Sequence, residues 1–248
     1  MAGNGTRTQT LGTFKPFIKV GGRTILEWLL RSLSFHVGLE DRFYFVTTQA
    51  FQDEFDVQEN LLAHFRRNGI LLPFELSIAP QTPEGPAASV ALAAEQIDRT
   101  EAMAVVVNVD QYIQFAIPSP AGDEPYAFMP IYAEFSSKSS YVSIEDGLIT
   151  RVVEKQNISN LASAGIYGFS STQLLNEALE AQFNHGERIN GEHYVGPAMN
   201  FLIEKGVPVI PAATRSKMDL GNLQGIAEFQ RRMVYNDQHI NIGVNQCF

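Results

Sequence analysis

The apolar positions of this chain change period several times, and each change marks an element. Arg23 to Phe35 is apolar nearly all round and reads as a buried helix. Arg42 to Thr48 is a short aromatic and β-branched run, which predicts a strand. Phe51 to Asn68 has the spacing of an amphipathic helix, closed by Gly69. A strand follows at Phe74 to Ala79, then a turn-rich loop at Pro80 to Pro86 and an alanine-rich helix at Ala87 to Ile97. Met103 to Val109 is nearly continuous in β-branched residues, the pattern of a parallel strand covered on both faces. This alternation predicts a doubly wound α/β sheet.

The pattern then turns β-rich. Ala116 to Pro125, with three prolines and two acids, reads as a loop. Strands are expected near 127–134, 140–144, 147–153 and 162–169, and helices at Leu174 to Phe183 and Tyr194 to Lys205. Pro197 fits that second helix only in its first turn. Val207 to Ala212 reads as a strand and Leu223 to Tyr235 as a closing helix. No clear linker divides the chain, so residues 1–248 are expected to form one domain, with halves at 1–115 and 116–248.

Composition narrows the class only slightly. The 248 residues are 45% hydrophobic and 18% charged, an ordinary globular balance. A net charge of −9 argues against a general nucleic-acid binder, though not against a phosphate ligand met by local cations. The one cysteine, Cys247, allows no intramolecular disulfide and no thiolate zinc site. No apolar run is long enough to span a bilayer and no signal peptide is visible, so a cytoplasmic location without membrane contact is expected.

Candidate chemistry begins at the first residues. Gly3 and Gly5 let the backbone bend sharply, and successive N–H groups in such a turn make a concave anion site. Arg7 adds a planar fork of donors and Lys15 a mobile point charge, a combination suited to a triphosphate. A plain glycine turn is the other reading. Asp110 stands at the carboxyl end of the Met103 to Val109 strand, where ligands bind in open α/β sheets. It reads equally as a magnesium-bridging carboxylate or as a turn aspartate. Asp219 is either a second metal carboxylate or, with Asn222, a cap for the last helix. Lys155 could hold a phosphate and Glu154 could accept from hydroxyls, or the two form an exposed charged pair. Glu192 is either a hydroxyl acceptor or an acid at a helix start. No HExxH pair and no Gly-x-Ser-x-Gly elbow occurs, which argues against a zinc protease or a covalent hydrolase.

Taken in order, these segments resemble the sugar-phosphate nucleotidyltransferases, such as the glucose-1-phosphate thymidylyltransferases. The resemblance rests on Met1 to Arg7 with Lys15-Pro16, on Thr82 to Ala87, Asn108 to Gln111, Glu154-Lys155, Ala164 to Tyr167, Gly191 to Val195 and Met218 to Gly221. It implies a Rossmann-like three-layer α/β/α sandwich with a mostly parallel mixed central sheet. It implies nucleotide contacts from Ala2, Gly3, Gly5, Thr6, Gln81 and Gly85, and sugar-phosphate contacts from Glu154, Lys155, Gly165 and Glu192. Arg7, Lys15 and Lys155 would carry the catalytic charge and Asp110 and Asp219 would hold Mg²⁺. The implied partners are a nucleoside triphosphate and a sugar 1-phosphate, without nucleic acid. Three departures stand out. The family's hydrophobic strand before the glycine loop is absent, which would leave two neighbouring strands unpaired and favour a homo-oligomer. The Arg7–Lys15 loop is short and the usual helix within Gln114 to Tyr126 is missing, and Met218 replaces the family's tryptophan. The alternatives are a non-catalytic sensor of nucleotide or sugar phosphate, a glycosyltransferase, and a cytidylyltransferase for a non-sugar phosphate.

Overall fold

The structure is a computed structural model, and it describes residues 14–98 and 100–239. Lys15 to Phe17 form a single 3-10 turn, followed by a hairpin of β1 (Lys19–Val20) and β2 (Arg23–Thr24). Helix α1 (Ile25–Leu33) starts two residues later than the apolar run suggests, because Thr24 is its cap. The Thr24 hydroxyl accepts from Glu27 N at 3.1 Å, and Glu27 Oε2 accepts from Thr24 N at 2.6 Å, a reciprocal capping box.

Strand β3 (Phe43–Thr48) and strand β4 (Phe74–Ala79) run parallel, as expected of a crossover pair. Between them the expected single helix is two, α2 (Gln49–Phe55) and α3 (Val57–Arg67). Asp56 breaks it with a left-handed φ of 42°, which an aspartate tolerates better than most residues. Helix α4 (Pro86–Ala94) begins at its own proline, whose missing N–H costs nothing at a first turn.

Among the described residues the large sheet has eight strands. Strand β5 (Ala104–Val107) pairs with β11 (Ile166–Phe169), then come β7 (Ala127–Ala133), β10 (Leu161–Ser163), β8 (Ser140–Glu145) and β9 (Leu148–Glu154). β12 (Val209–Asp219) lies parallel to β7 and then antiparallel to β6 (Gln111–Phe115). The α/β layering and mixed sheet match expectation, but the balance within the sheet differs. Among the described residues only the β3–β4 and β7–β12 ladders are parallel, because short returns such as Asp146-Gly147 build the second half by hairpins.

Three other elements depart from the sequence pattern. The run expected as one strand at 162–169 is two, broken at Gly165 with φ 75°. β6 carries too little apolar alternation to stand out. β12 continues seven residues past its expected end, through a stretch with few apolar residues. Along that stretch it carries a register shift between Thr214 and Ser216, where Arg215 is the extra residue against Phe115–Gln114. Helices α5 (Thr172–His185) and α6 (Val195–Glu204) agree closely with expectation, and Pro197 falls in the first turn of α6. Helix α7 (Leu223–His239) closes the described chain.

Two apolar layers flank the large sheet. On one side Ala87, Ala94, Leu174, Leu175, Ala198 and Leu202 from α4, α5 and α6 pack on Ala127, Met129 and Phe169. On the other, Leu29 and Leu33 of α1 meet Ile113, Phe128 and Ile166. Among the described residues no ladder joins β3 to β5, so β3–β4 stand as a separate two-stranded sheet. They are held by the apolar cluster of Leu26, Leu30, Leu61 and Phe65 with Phe43, Phe45 and Phe74.

Candidate active site

Two carboxylates meet at the end of β12. Asp219 is the last residue of that strand and pairs in register with Gln111, so it stands beside Asp110, the residue before β6. Leu220 N donates to Asp110 O at 2.8 Å, which fixes the crossing. A Cβ at Gly221 would lie 2.5 Å from Asp110 Oδ2 and 2.8 Å from Asp219 Oδ1. Only glycine lets both acids share that small space. Lys15 Nζ sits 2.6 Å from Asp110 Oδ2. Asp219 Oδ1 accepts from Gly221 N at 2.7 Å and its Oδ2 from Asn222 Nδ2. The capping of α7 falls to Asn222, whose Oδ1 accepts from Gly225 N at 2.9 Å. Of the two roles open to this segment, Asn222 takes the cap and Asp219 faces Asp110.

A second cluster surrounds Lys155, which follows β9 with φ 56°. Its N–H donates to Ser139 O at 2.8 Å. Its ammonium lies 4.5 Å from the ring centre of Tyr194 and hydrogen-bonds the Tyr194 hydroxyl, which in turn donates to Glu192. Glu154 is buried beside it and accepts from the Ser140 hydroxyl. Burial pushes the Glu154 carboxyl above its usual range; Ser140 and Lys155 oppose this and Glu192 adds to it.

Sequence reasoning passed over a third group. Lys217 lies 4.5 Å from the ring centre of Tyr132 and 3.4 Å from its hydroxyl. The Tyr132 hydroxyl donates to Glu134 at 2.6 Å and stands 3.5 Å from Ser139 Oγ. Ser139 therefore touches both lysine clusters, one through its carbonyl and one through its hydroxyl. Burial lowers the Lys217 ammonium below its usual range against the raising fields of Asp219, Glu134 and Asp110. All three acids are within electrostatic reach of it.

Gly165 and Gly85 close the surroundings. Asn108 N and Gln111 Nε2 donate to Gly165 O at 2.9 and 3.3 Å, and a Cβ at Gly165 would meet Asn108 Nδ2 at 2.7 Å. Gly85 lies against the backbone of His193, whose N donates to Glu84 O and whose O accepts from Ala87 N. The loop ending at Gly85 is thereby stitched to the segment that carries Glu192 and Tyr194, with Gln81 exposed upon it. Ala2, Gly3, Gly5, Thr6 and Arg7 lie outside the described residues. Among the described residues no group of three or more His, Cys, Asp and Glu side chains that could hold a metal ion forms, and no helix is long and apolar enough to cross a membrane.

No protein-family model matches the sequence, and no curated protein does. Solved structures do match. A nucleoside-diphosphate-sugar pyrophosphorylase from Vibrio cholerae RC9 superposes with a TM-score of 0.76 at 22% identity, over 93% of this chain and 98% of that one. The fold is theirs. A UDP-glucose pyrophosphorylase complexed with UDP-glucose gives 0.71 at 17% identity, over 95% and 96% of the two chains. An inositol-1-phosphate CTP transferase from T. maritima gives 0.70 at 13%, over 97% and 95%.

Proposed function

We propose that the chain transfers a nucleotidyl group from a nucleoside triphosphate to a sugar 1-phosphate, releasing pyrophosphate. The observation that carries this reading is the meeting of Asp110 and Asp219 around Gly221, with Lys15 on Asp110 and a run of contacts from Lys217, two residues before Asp219, through Tyr132 and Ser139 to Lys155. The shared fold with sugar-nucleotide pyrophosphorylases supports it.

In this reading an oxygen of the acceptor phosphate attacks the α-phosphorus in line. A phosphorus–oxygen bond forms there as the bond to the β-phosphate breaks, and pyrophosphate takes the electron pair. The protein contributes position and charge rather than a nucleophile. Lys155 holds the acceptor phosphate, oriented by the Tyr194 ring beneath its ammonium. Glu192 and Glu154 accept from sugar hydroxyls, and the backbone at Gly165 lies against the sugar. Lys15 and Arg7, with the N–H groups of Ala2, Gly3, Gly5 and Thr6, hold the triphosphate. Gln81 and the Gly85 loop meet the base. Asp110 and Asp219 offer the hard oxygen donors that suit Mg²⁺, which usually takes one or two carboxylates. Bound there, the ion would neutralise charge on the reacting phosphates.

A second reading has support of its own: the match to the inositol-1-phosphate CTP transferase admits a cytidylyltransferase with another phosphorylated acceptor. A pyrophosphate-release screen over four triphosphates, several sugar 1-phosphates and inositol 1-phosphate, with and without Mg²⁺, tests both. Release that needs one triphosphate, one acceptor and Mg²⁺ together is the expected result. Asp110→Asn should then lower turnover by about 10³-fold or more. No release with any pair overturns the enzymatic reading, and equal turnover in the variant removes Asp110 from the site.

A further inference from the structure

Lys217 and Asp219 are two residues apart on the regular end of β12, in register with Ile113 and Gln111, so their side chains rise from one face of the strand. Asp219 is the carboxylate that meets Asp110. Lys217 thus stands next to the pair of acids, and it is half-buried. Its direct polar partner among the described residues is the Tyr132 hydroxyl at 3.4 Å, and no carboxylate forms an ion pair with it there. An ammonium drawn out of water and given one neutral partner is unfavourable unless an anion completes it. Two of its three N–H donors remain for that anion.

The surroundings repeat those of Lys155. Each lysine lies 4.5 Å over a tyrosine ring, each tyrosine hydroxyl binds a glutamate two residues away in sequence, and Ser139 touches both groups. We infer that Lys217 is a further phosphate-binding cation, set between Lys155 and the Asp110–Asp219 pair, where it holds an oxygen of the phosphate undergoing substitution. The inference rests on the nucleotidyltransferase reading and assigns a residue that lies outside its motifs. Charge held where the two phosphates meet matters most as the new bond forms, so its loss should fall on kcat rather than on KM.

The test uses the full chain and the substrate pair found in the screen. Lys217→Met should lower kcat about 10²-fold, with both KM values within about threefold of wild type, and Lys217→Arg should recover about tenfold of that loss. Thermal unfolding of both variants separates a charge effect from a folding defect, since Lys217→Arg keeps the charge. A kcat within threefold of wild type in Lys217→Met overturns the inference. If the wild-type chain turns over no pair, the parent reading fails and a second measurement decides this one. Acetic anhydride labelling of Lys217, followed by peptide mass spectrometry, should be suppressed by a mixture of the four nucleoside triphosphates, which carry the α-phosphate, with Lys205 on the surface as the unprotected control. Equal labelling of Lys217 with and without the triphosphates overturns it.

Discussion

The two lysine clusters use the same three residue types and differ in how they are built. In one, Lys155 leaves the end of β9 in a left-handed turn, while Glu192 and Tyr194 come from a loop that runs into α6. In the other, Lys217 and Tyr132 sit within β12 and β7, and Glu134 follows at the end of β7. The first is bordered by the loop that carries Glu192 and Tyr194. The second is embedded in the sheet. A cation on a loop can select a substrate, whereas a cation on a strand keeps a fixed place relative to the carboxylate two residues on. The contrast teaches that similar local chemistry serves different ends when its scaffolds differ in stiffness.

Breaking the loop cluster should have the largest effect. Lys155→Met removes the charge proposed to hold the acceptor, and kcat/KM should fall about 10³-fold, measured by pyrophosphate release. Much of that loss should lie in KM for the acceptor, unlike the loss at Lys217. Tyr194→Phe and Tyr132→Phe sharpen the comparison, since each removes one hydroxyl that links lysine to glutamate. Turnover should drop about tenfold in Tyr194→Phe, because the lysine on the loop has no strand to hold it. Tyr132→Phe should cost stability instead, about 1 kcal/mol in a denaturant titration, because the Glu134 carboxylate loses a half-buried partner.

The smallest effect is on acid stability. Burial pushes the Glu134 carboxyl up, but the Tyr132 hydroxyl and the N–H groups of Ser136 and Phe135, both at 2.8 Å, outweigh it and lower the pKa below 4.5. The folded chain therefore favours the ionised form. That stability is complete above pH 4.5 and is lost as pH falls through the lower folded value. Glu134→Gln should flatten the fall of unfolding free energy below pH 4.5, measured by urea titration at several pH values. An unchanged acid slope would detach Glu134 from the second cluster.

The sequence made the first cluster visible and hid the second for a physical reason. Glu154-Lys155 and Gly191 to Tyr194 are polar residues in turn-rich segments, where a buried or constrained charge has a distinctive local spelling. Tyr132 looks like any aromatic strand residue, and Lys217 sits in a stretch with few apolar residues, past the strand expected to end at Ala212. Its role follows from a ladder with β6 that joins residues about a hundred positions apart, which no local window contains. The same holds for the fold. Helices with strong caps and steady periodicity, such as α5 and α6, were legible to within a few residues. The break at Asp56 and the bend at Gly165 depend on single backbone conformations, which periodicity does not encode. The Asp110–Asp219 meeting was legible only as two separate possibilities, because Gly221 reveals its purpose only once both acids are placed around it.

The extra residue in β12 has one more consequence. Arg215 lets two positions of this strand oppose one step of β6, and every residue after it takes its orientation from that offset. Side chains alternate along a strand, so a chain one residue shorter here would keep Lys217 and Asp219 opposite Ile113 and Gln111 but turn them over relative to the half of β12 that pairs with β7. This segment can therefore drift in composition over generations but not in length: a point change at Arg215 is a matter of taste, and a one-codon deletion is an inversion.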